Sequence, residues 1–135
     1  MAEYEYAGGE LQLFSKATVW KAYWKSFVVP HLTGDVLEIG AGIGANANAL
    51  ADAEFRSWTC LEPDARLAAA IPPGPRRNVV VGTSESIDED SLFDTILYPD
   101  VLEHIEDDRG ELARSAALLK NGGSLIVLAP AHPAL

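Results

Sequence analysis

The sequence has one cysteine, few basic residues and no long apolar run. Cys60 by itself excludes an internal disulfide and a multi-cysteine zinc site. No run of about 18 apolar residues occurs, so no membrane span is predicted. The first ten residues, MAEYEYAGGE, are acidic and lack the apolar core of a secretory signal, which favours a cytoplasmic location.

Basic residues are scarce: ten Lys and Arg stand against twenty Asp and Glu, a formal net charge of −10. Nucleic-acid-binding proteins usually present a basic patch to phosphates, and here the only adjacent basic pair is Arg76-Arg77. Eleven of the acidic residues lie between Glu85 and Glu111. This stretch is typical of a solvated acidic surface, but it also favours a cationic ligand over a polyanion. No nucleic-acid partner is expected.

The 135 residues are 48% hydrophobic and 22% charged, the balance of a globular protein. This length predicts one domain with its own core. We expect a helical segment over residues 1–34 and an α/β core over residues 35–135.

Hydrophobic periodicity predicts an N-terminal helix followed by alternating strands and helices. The helix covers about Leu11 to Val29, and apolar residues spaced by three and four share one face. These are Leu13, Ala17, Trp20, Trp24 and Phe27. Five strands are predicted at Val36–Ile39, Trp58–Leu61, Asn78–Val81, Phe93–Tyr98 and Ser124–Ala129.

Helices are predicted between these strands at about Ala45–Ala53, Ala65–Ile71 and Glu111–Leu119. Asn121-Gly122-Gly123 resembles a helix C-terminal cap and would end the last of them. Almost wholly apolar strands that alternate with helices indicate a mainly parallel sheet covered on both faces. The predicted fold is a Rossmann-like three-layer α/β sandwich with about five strands.

A glycine-rich segment follows the first predicted strand. Gly40 and Gly42 allow a tight turn and a close approach of a ligand to the backbone, at the edge where open parallel sheets bind ligands. The segment, with Ala45, also satisfies the dinucleotide fingerprint. Glu62, at the end of the second strand, can accept hydrogen bonds from the ribose hydroxyls of NAD or of S-adenosylmethionine. Neither feature alone discriminates between these ligands.

Glu38 favours one of the two ligands. It lies two residues before Gly40, where a dinucleotide-binding strand normally carries an apolar residue. A carboxylate there would repel a pyrophosphate and attract a ligand that carries an ammonium and a sulfonium centre. The alternative is an acid that only caps or salt-bridges the end of the strand.

Four segments together resemble the motifs of class I S-adenosylmethionine-dependent methyltransferases. In chain order they are Glu38-x-Gly40-x-Gly42-x-Gly44, Glu62-Pro63-Asp64, Phe93 to Ile105, and Leu118 to Leu125. The resemblance extends from about Val36 to Ala129 and implies S-adenosylmethionine as the cofactor. The cofactor-binding positions that it implies are Glu38, Gly40, Ala41, Gly42, Gly44, Glu62, Pro63, Thr83, Ser84, Tyr98, Pro99 and Asp100.

The resemblance also implies a division of roles among these positions. The glycine segment would border the methionine portion with Glu38 near its amino group, while Glu62 would bind the ribose and Pro63 the adenine. After the third strand the family often has an acidic residue beside the adenine amino group. Here Gly82-Thr83-Ser84 stands in that place, so backbone groups or the two hydroxyls would serve the adenine. The segment 98–100 would flank the methionine end, near where a methyl acceptor enters.

Methyl transfer is a direct displacement at a carbon that is already activated, so alignment of the acceptor supplies much of the acceleration. A general base is needed only where the acceptor must first lose a proton. The candidate bases are His104 and, after it, Asp100 or His132. His104 also lies at the start of a helical pattern, where a structural hydrogen bond is the alternative. Three scattered histidines give no indication of a metal site.

Three functions follow in order of preference. The first is an S-adenosylmethionine-dependent methyltransferase that acts on a small-molecule, lipid or glycan-type acceptor. The second is a non-catalytic cofactor-binding or scaffold domain that works through a partner. It is raised because family members usually continue past the fifth strand, whereas this sequence ends at Leu135. The third is an NAD-linked oxidoreductase. An uncovered fifth strand also predicts a homodimer that covers it.

Overall fold

The computed structural model describes residues 21–129, which fall into two compact units that divide between Pro30 and His31. In the first unit, residues 21–28 are helical (α1). Trp24 is buried, but Phe27 is 59% exposed and packs edge-on against Tyr23, with ring centroids 4.8 Å apart. Phe27, which was predicted on the same face as Trp24, is therefore not buried as Trp24 is, and its ring pairs along the helix with the residue four positions before it. Leu13, Ala17 and Trp20 lie outside the described residues.

The second unit is built on a five-stranded parallel sheet. Its strands are β1 (Asp35–Ile39), β2 (Ser57–Glu62), β3 (Arg77–Val81), β4 (Phe93–Pro99) and β5 (Leu119–Leu128). Their order across the sheet is β3-β2-β1-β4-β5, and every neighbouring pair is parallel. The direction of winding reverses between β1 and β4. Open α/β sheets bind ligands at such a reversal, beyond the carboxyl ends of the strands.

Three helices accompany the sheet: α2 (Ala45–Ala49), α3 (Ala65–Ala69) and α4 (Asp108–Leu118). Short 3-10 turns lie at Val29–His31, Ser84–Ser86 and Leu102–His104. Acidic side chains cap two of the helices. Asp64 accepts from the Arg66 amide at 2.8 Å ahead of α3, and Asp107 accepts from the Gly110 amide at 3.1 Å ahead of α4. These caps satisfy amide groups that have no partner within the helix. No helix among residues 21–129 has the length and apolar character needed to cross a membrane.

Helices cover both faces of the sheet. One face carries an apolar cluster centred on buried side chains of β1, β2 and β4, and Leu118 of α4 packs into it. The other face carries Glu38, to which Asn46 of α2 donates a hydrogen bond. The three layers confirm the predicted Rossmann-like sandwich.

Two details differ from the sequence prediction, and the first concerns Asn121-Gly122-Gly123. These residues do not cap a helix, since α4 ends at Leu118 and the chain is already extended at Leu119. They lie within β5. Phe93 pairs with Leu119 and Thr95 pairs with Ser124, so β5 has more residues than β4 between these two pairs. The two glycines therefore form an irregularity within β5, and the strand stays paired with β4 on both sides of it.

The second difference is the exposure of the outer strands. Val79 and Val81 of β3 are 42% and 54% exposed, and Leu125 and Val127 of β5 are 36% and 43% exposed. Within the described residues, the sheet is thus covered on both faces at its centre and open at both edges.

Candidate functional site

A cavity of about 470 Å³ opens at the carboxyl edge of the sheet. The ends of β1 and β2, the loop after β3, the segment 101–105 and α4 all contribute to its lining. Six residues predicted for the site line this cavity: Gly40, Glu62, Pro63, Thr83, Ser84 and His104. The cavity lies at the winding reversal of the sheet, where the glycine segment begins.

Two glycines of that segment have different surroundings. Gly40 has φ +70°, and a Cβ there would lie 2.5 Å from Cγ2 of Val101. Gly42 has φ +60°, but an added Cβ would meet no atom within 4 Å. Gly40 is therefore required for packing within the protein, whereas Gly42 leaves space through which a ligand can reach the backbone.

Glu62 ties the glycine segment to the end of β2. It is 6% exposed, and its two carboxyl oxygens accept from the amides of Gly42 at 2.9 Å and Asp64 at 2.7 Å. A carboxylate can accept about four hydrogen bonds, so acceptor capacity remains on the cavity side. No ion pair to Glu62 occurs among residues 21–129, so no cation of this part of the chain takes up this capacity.

Glu38 lies apart from the cavity lining. Its carboxyl group is fully buried and accepts hydrogen bonds from Trp58 Nε1 at 3.2 Å and Asn46 Nδ2 at 3.1 Å. Burial raises the pKa of Glu38 to about 7, although these two hydrogen bonds and the charge of Arg77 oppose the rise. The side chain therefore joins β1, β2 and α2 directly beneath the glycine segment.

Ala41 and Gly44 hold the shape of the segment. The Ala41 amide donates to the Leu61 carbonyl at 3.0 Å, and the Gly44 amide donates to the Ala41 carbonyl at 3.0 Å. Gly44 has φ +87° and directly precedes α2. Neither residue lines the cavity, as is also true of Gly42.

The segment 98–100 does not line the cavity either. Tyr98 points toward α4, where its hydroxyl donates to Glu111 at 2.7 Å and contacts Ser115. Pro99 is the buried last residue of β4. Asp100 has φ +56°, its amide donates to the Leu128 carbonyl at 2.8 Å, and partial desolvation followed by the nearby Glu103 carboxyl group raises its pKa.

Of the candidate bases within residues 21–129, only His104 faces the cavity. Its side chain is 78% exposed, and Nε2 lies 3.6 Å from Oε1 of Glu103. His132 lies outside the described residues. His104 thus stands at a position that both solvent and a bound molecule can reach.

Sequence reasoning missed two lining residues on α4, Glu111 and Arg114. Glu111 is 4% exposed and accepts from the Ser84 hydroxyl at 2.8 Å and from Arg114 Nη2 at 2.9 Å. Their spacing of three on a predicted helix indicated a pair with each other. Nothing in the linear sequence indicated the contact with Ser84, 27 residues earlier.

The lining has an excess of acidic groups. Glu62, Glu85 and Glu111 face the cavity, against the single guanidinium of Arg114. Such a surface favours a ligand with positive charge. Among residues 21–129 there is no group of three or more His, Cys, Asp or Glu side chains arranged to hold a metal ion.

A family model described as a methyltransferase domain matches residues 18–134 of the chain. No curated protein is significantly similar to it. Among solved structures, a protein of Anabaena variabilis assigned as a methyltransferase of an antibiotic biosynthesis pathway has a TM-score of 0.70 at 18% identity. The match covers 80% of this chain and 45% of that one.

Two further structures are similar. A glycopeptide N-methyltransferase, solved with S-adenosyl-L-methionine, has a TM-score of 0.63 at 24% identity, over 79% of this chain and 53% of that one. A protein of Haloferax volcanii assigned as a methyltransferase, solved with the Trm112 methyltransferase activator, has a TM-score of 0.61 at 20% identity, over 67% and 42%. The chain thus spans about half the length of these structures, and at such identities the likeness shows the shared fold.

Proposed function

The chain belongs to the methyltransferase domain family, in its class I, Rossmann-like form, and from this premise we propose that it binds S-adenosylmethionine and transfers the methyl group to a small-molecule, lipid or glycan-type acceptor. The observation that carries the proposal is the junction between Glu62 and the Gly42 amide at the cavity edge. It joins the two motifs that the family uses for this cofactor.

The residues at the junction fit the cofactor. The open space at Gly42 admits a ligand to the backbone, and the remaining acceptor capacity of Glu62 suits two ribose hydroxyls. Pro63, Thr83 and Ser84 would hold the adenine, because they line the same cavity beyond Glu62. A cavity of about 470 Å³ is also within the range of about 300–1,000 Å³ that small ligands occupy.

The charge of the cavity supports a sulfonium cofactor over a dinucleotide. Three carboxyl groups and one guanidinium line it. A pyrophosphate placed there would meet net repulsion, whereas a cationic sulfonium would be attracted. This supports methyl transfer over an NAD-linked oxidation.

In the proposed reaction the cofactor supplies a methyl group on a sulfonium, whose leaving group is already activated. The chain contributes mainly binding and orientation, which supply much of the rate acceleration of such displacements. We assign His104 the role of accepting a proton from an acceptor that must lose one, since it is exposed at the cavity. Asp100 is a second candidate for that role, although the segment 98–100 does not line the cavity.

Calorimetric titration with S-adenosylmethionine and S-adenosylhomocysteine tests the proposal. We expect the wild-type chain to bind both, and Glu62→Ala to weaken binding at least about a hundredfold. The loss corresponds to two hydrogen bonds to a charged group, each worth about 1.5 kcal/mol or more. Glu106→Ala, an exposed acid outside the cavity, is the matched control and should bind as the wild type does. A folded wild-type sample that binds neither compound would contradict the proposal.

A second candidate function is a cofactor-binding domain without turnover that works with a partner. It is favoured by one of the similar structures named above, which is a complex with a methyltransferase activator. Cofactor binding without methylation of any acceptor in a chemically broad panel would favour this candidate, and measurable turnover would exclude it.

We also propose that a second copy of the chain covers β5. Among residues 21–129 this strand is the last of the sheet on its side, and Leu125 and Val127 project from it with exposures of 36% and 43%. An apolar outer strand is a template for association. Sedimentation at increasing concentration should show a dimer that Val127→Lys disrupts, while Val81→Lys on the opposite edge leaves it intact. A wild-type chain that stays monomeric at high concentration would contradict the proposal.

A further inference from the structure

We propose that Glu111 and Arg114 are positioning residues that fix the loop after β3 for adenine recognition, acting through Ser84. The inference rests on the proposed cofactor and extends its site to two residues of α4 outside the motifs that identify the family. It concerns residues 82–86, the part of the cavity wall that follows β3.

The anchor of this network is the Glu111 carboxyl group, which is 4% exposed. It accepts three hydrogen bonds: from the Tyr98 hydroxyl at 2.7 Å, the Ser84 hydroxyl at 2.8 Å and Arg114 Nη2 at 2.9 Å. Donors from β4, the loop and α4 thus converge on one buried group. Such a group has a single favourable position, since leaving any buried partner unsatisfied is costly.

Arg114 closes the network on the loop side. Its Nε donates to the Ser84 hydroxyl at 2.9 Å, and its Nη1 lies 3.6 Å from the Glu85 carboxyl group. The hydroxyl of Ser84 therefore donates to Glu111 and accepts from Arg114 at once. Ser84 itself is 4% exposed and lines the cavity together with Glu85 and both α4 residues.

The loop that this network holds departs from the pattern that the family resemblance implies. Gly82-Thr83-Ser84 stands where the family often has an acidic residue beside the adenine amino group, and Glu85 of the same loop pairs with Arg114, so recognition falls to backbone and hydroxyl groups of the loop. Adenine offers an amino donor and the N1 acceptor, where hypoxanthine offers a carbonyl acceptor and an N–H donor. Groups held in fixed positions discriminate between these edges, because the wrong base leaves buried polar groups unpaired. A loop that is free to move would adapt to both.

The test compares the affinities of S-adenosylhomocysteine and of its inosine analogue by calorimetry. We expect the wild-type chain to prefer the adenine compound at least about tenfold. Ser84→Ala and Arg114→Met should each reduce that preference at least fivefold. Glu62→Ala should weaken both compounds equally and keep the preference. Arg109→Met, an exposed arginine on the same helix, is the matched control for Arg114→Met and should change neither affinity.

The outcomes separate this inference from the proposed function. A wild-type chain that binds neither compound overturns both. A wild-type chain that binds with adenine preference, together with Ser84→Ala and Arg114→Met variants that keep the preference within twofold, overturns only the positioning role. Thermal melts accompany each titration, and Ser84→Ala, which removes one hydroxyl, provides the test if Arg114→Met does not fold.

Discussion

The two ends of the parallel sheet hold acidic residues in opposite ways. At the amino ends of β1 and β4, Asp35 and Asp94 share the cations Arg56 and Lys120. Arg56 Nη2 lies 2.7 Å from Asp35 and 3.2 Å from Asp94, and Lys120 Nζ lies 3.2 Å and 3.1 Å from the same two residues. At the carboxyl ends, the hydrogen bonds to the buried Glu38 and Glu62 come from neutral donors: amide groups and an indole.

The difference appears in the acidities. Hydrogen bonds from Arg56 hold the pKa of Asp35 well below its usual range, and the Asp35 backbone amide, with help from Lys120, lowers the pKa of Asp94. Burial instead raises the pKa of Glu38 to about 7. The acids at the amino end are thus neutralised by cations of the fold, whereas at the carboxyl end Glu38 is buried among neutral donors and only Glu62 of the two lines the cavity.

The largest effect that we expect is the pH dependence conferred by Glu38. Its pKa is about 7 in the folded chain against an ordinary value of 4.5, so between these values the unfolded chain releases a proton that the folded chain keeps. Stability should therefore fall as the pH rises from 4.5 to 7, by about 3 kcal/mol. Glu38→Gln removes this loss, because the amide does not ionise: its oxygen can accept from Trp58, and its NH2 group can donate to the amide oxygen of Asn46 once that side chain has turned over.

Urea unfolding of the wild type and Glu38→Gln at pH 4.5 and pH 8 measures this effect. From pH 4.5 to pH 8, the unfolding free energy of the variant should increase by about 2–3 kcal/mol relative to that of the wild type. Glu106→Gln, at an exposed position, is the control and should show no such shift. If the stabilities of the wild type and Glu38→Gln changed in parallel with pH, Glu38 would not have the raised pKa that distinguishes the carboxyl end of the sheet from the amino end.

An intermediate effect is expected for Asp94→Asn at the amino end. The aspartate accepts from the Asp35 amide at 2.8 Å and from Lys120 at 3.1 Å, and the neutral amide loses the charge that strengthens these bonds. We expect a loss of about 1–2 kcal/mol at neutral pH. The lowered pKa means that this stability is present above the ordinary value of 3.8 and is lost as the pH falls below it.

Chemical unfolding from pH 7 to pH 2 tests the prediction for Asp94. The wild type should lose more stability than Asp94→Asn over the acidic part of this range, so the two curves converge. Asp90→Asn, at an exposed position, serves as the control. Curves that stay equally far apart down to pH 2 would show that the carboxyl group of Asp94 does not stabilise the fold through its charge.

The smallest effect is expected for Arg56→Met. The side chain of Arg56 is 63% exposed, and Lys120 remains paired with both aspartates when it is removed. We expect a smaller decrease in Tm than for Asp94→Asn, and one that shrinks further in high salt, because solvent and ions screen exposed pairs. Scanning calorimetry in low and high salt measures it. A decrease in Tm equal to that of Asp94→Asn would show that Arg56 stabilises this group of charges as much as the Asp94 carboxyl group does.

Much of the fold could be predicted from local patterns. The strand predicted at Val36–Ile39 is β1 (Asp35–Ile39), and that predicted at Phe93–Tyr98 is β4 (Phe93–Pro99), because continuous apolar runs bounded by turn residues are strong local signals. The start of β5 was mistaken, at Ser124 instead of Leu119, because Asn121-Gly122-Gly123 is a turn signal when taken alone. Hydrogen bonding to β4 outweighs that preference, and no local pattern contains it.

The candidate site divides in the same way. Glu62 and the glycine segment were predicted, and the chain brings them together through the bond to the Gly42 amide. The roles predicted for Glu38 and Tyr98 stay predictions. Glu38 bonds within the fold, and the Tyr98 hydroxyl donates to Glu111 of α4.

The sequence by itself determined the family, the order of strands and helices, and the glycine segment. These depend on residues close together in the chain, whose backbone preferences and spacing are local. Only the tertiary structure decided that Ser84 bonds to Glu111 and that Asp35 and Asp94 share their cations. It also decided that Glu38 is fully buried beneath the glycine segment. Such contacts depend on the register of the strands and on which face each helix covers. Both are set by packing of the whole domain.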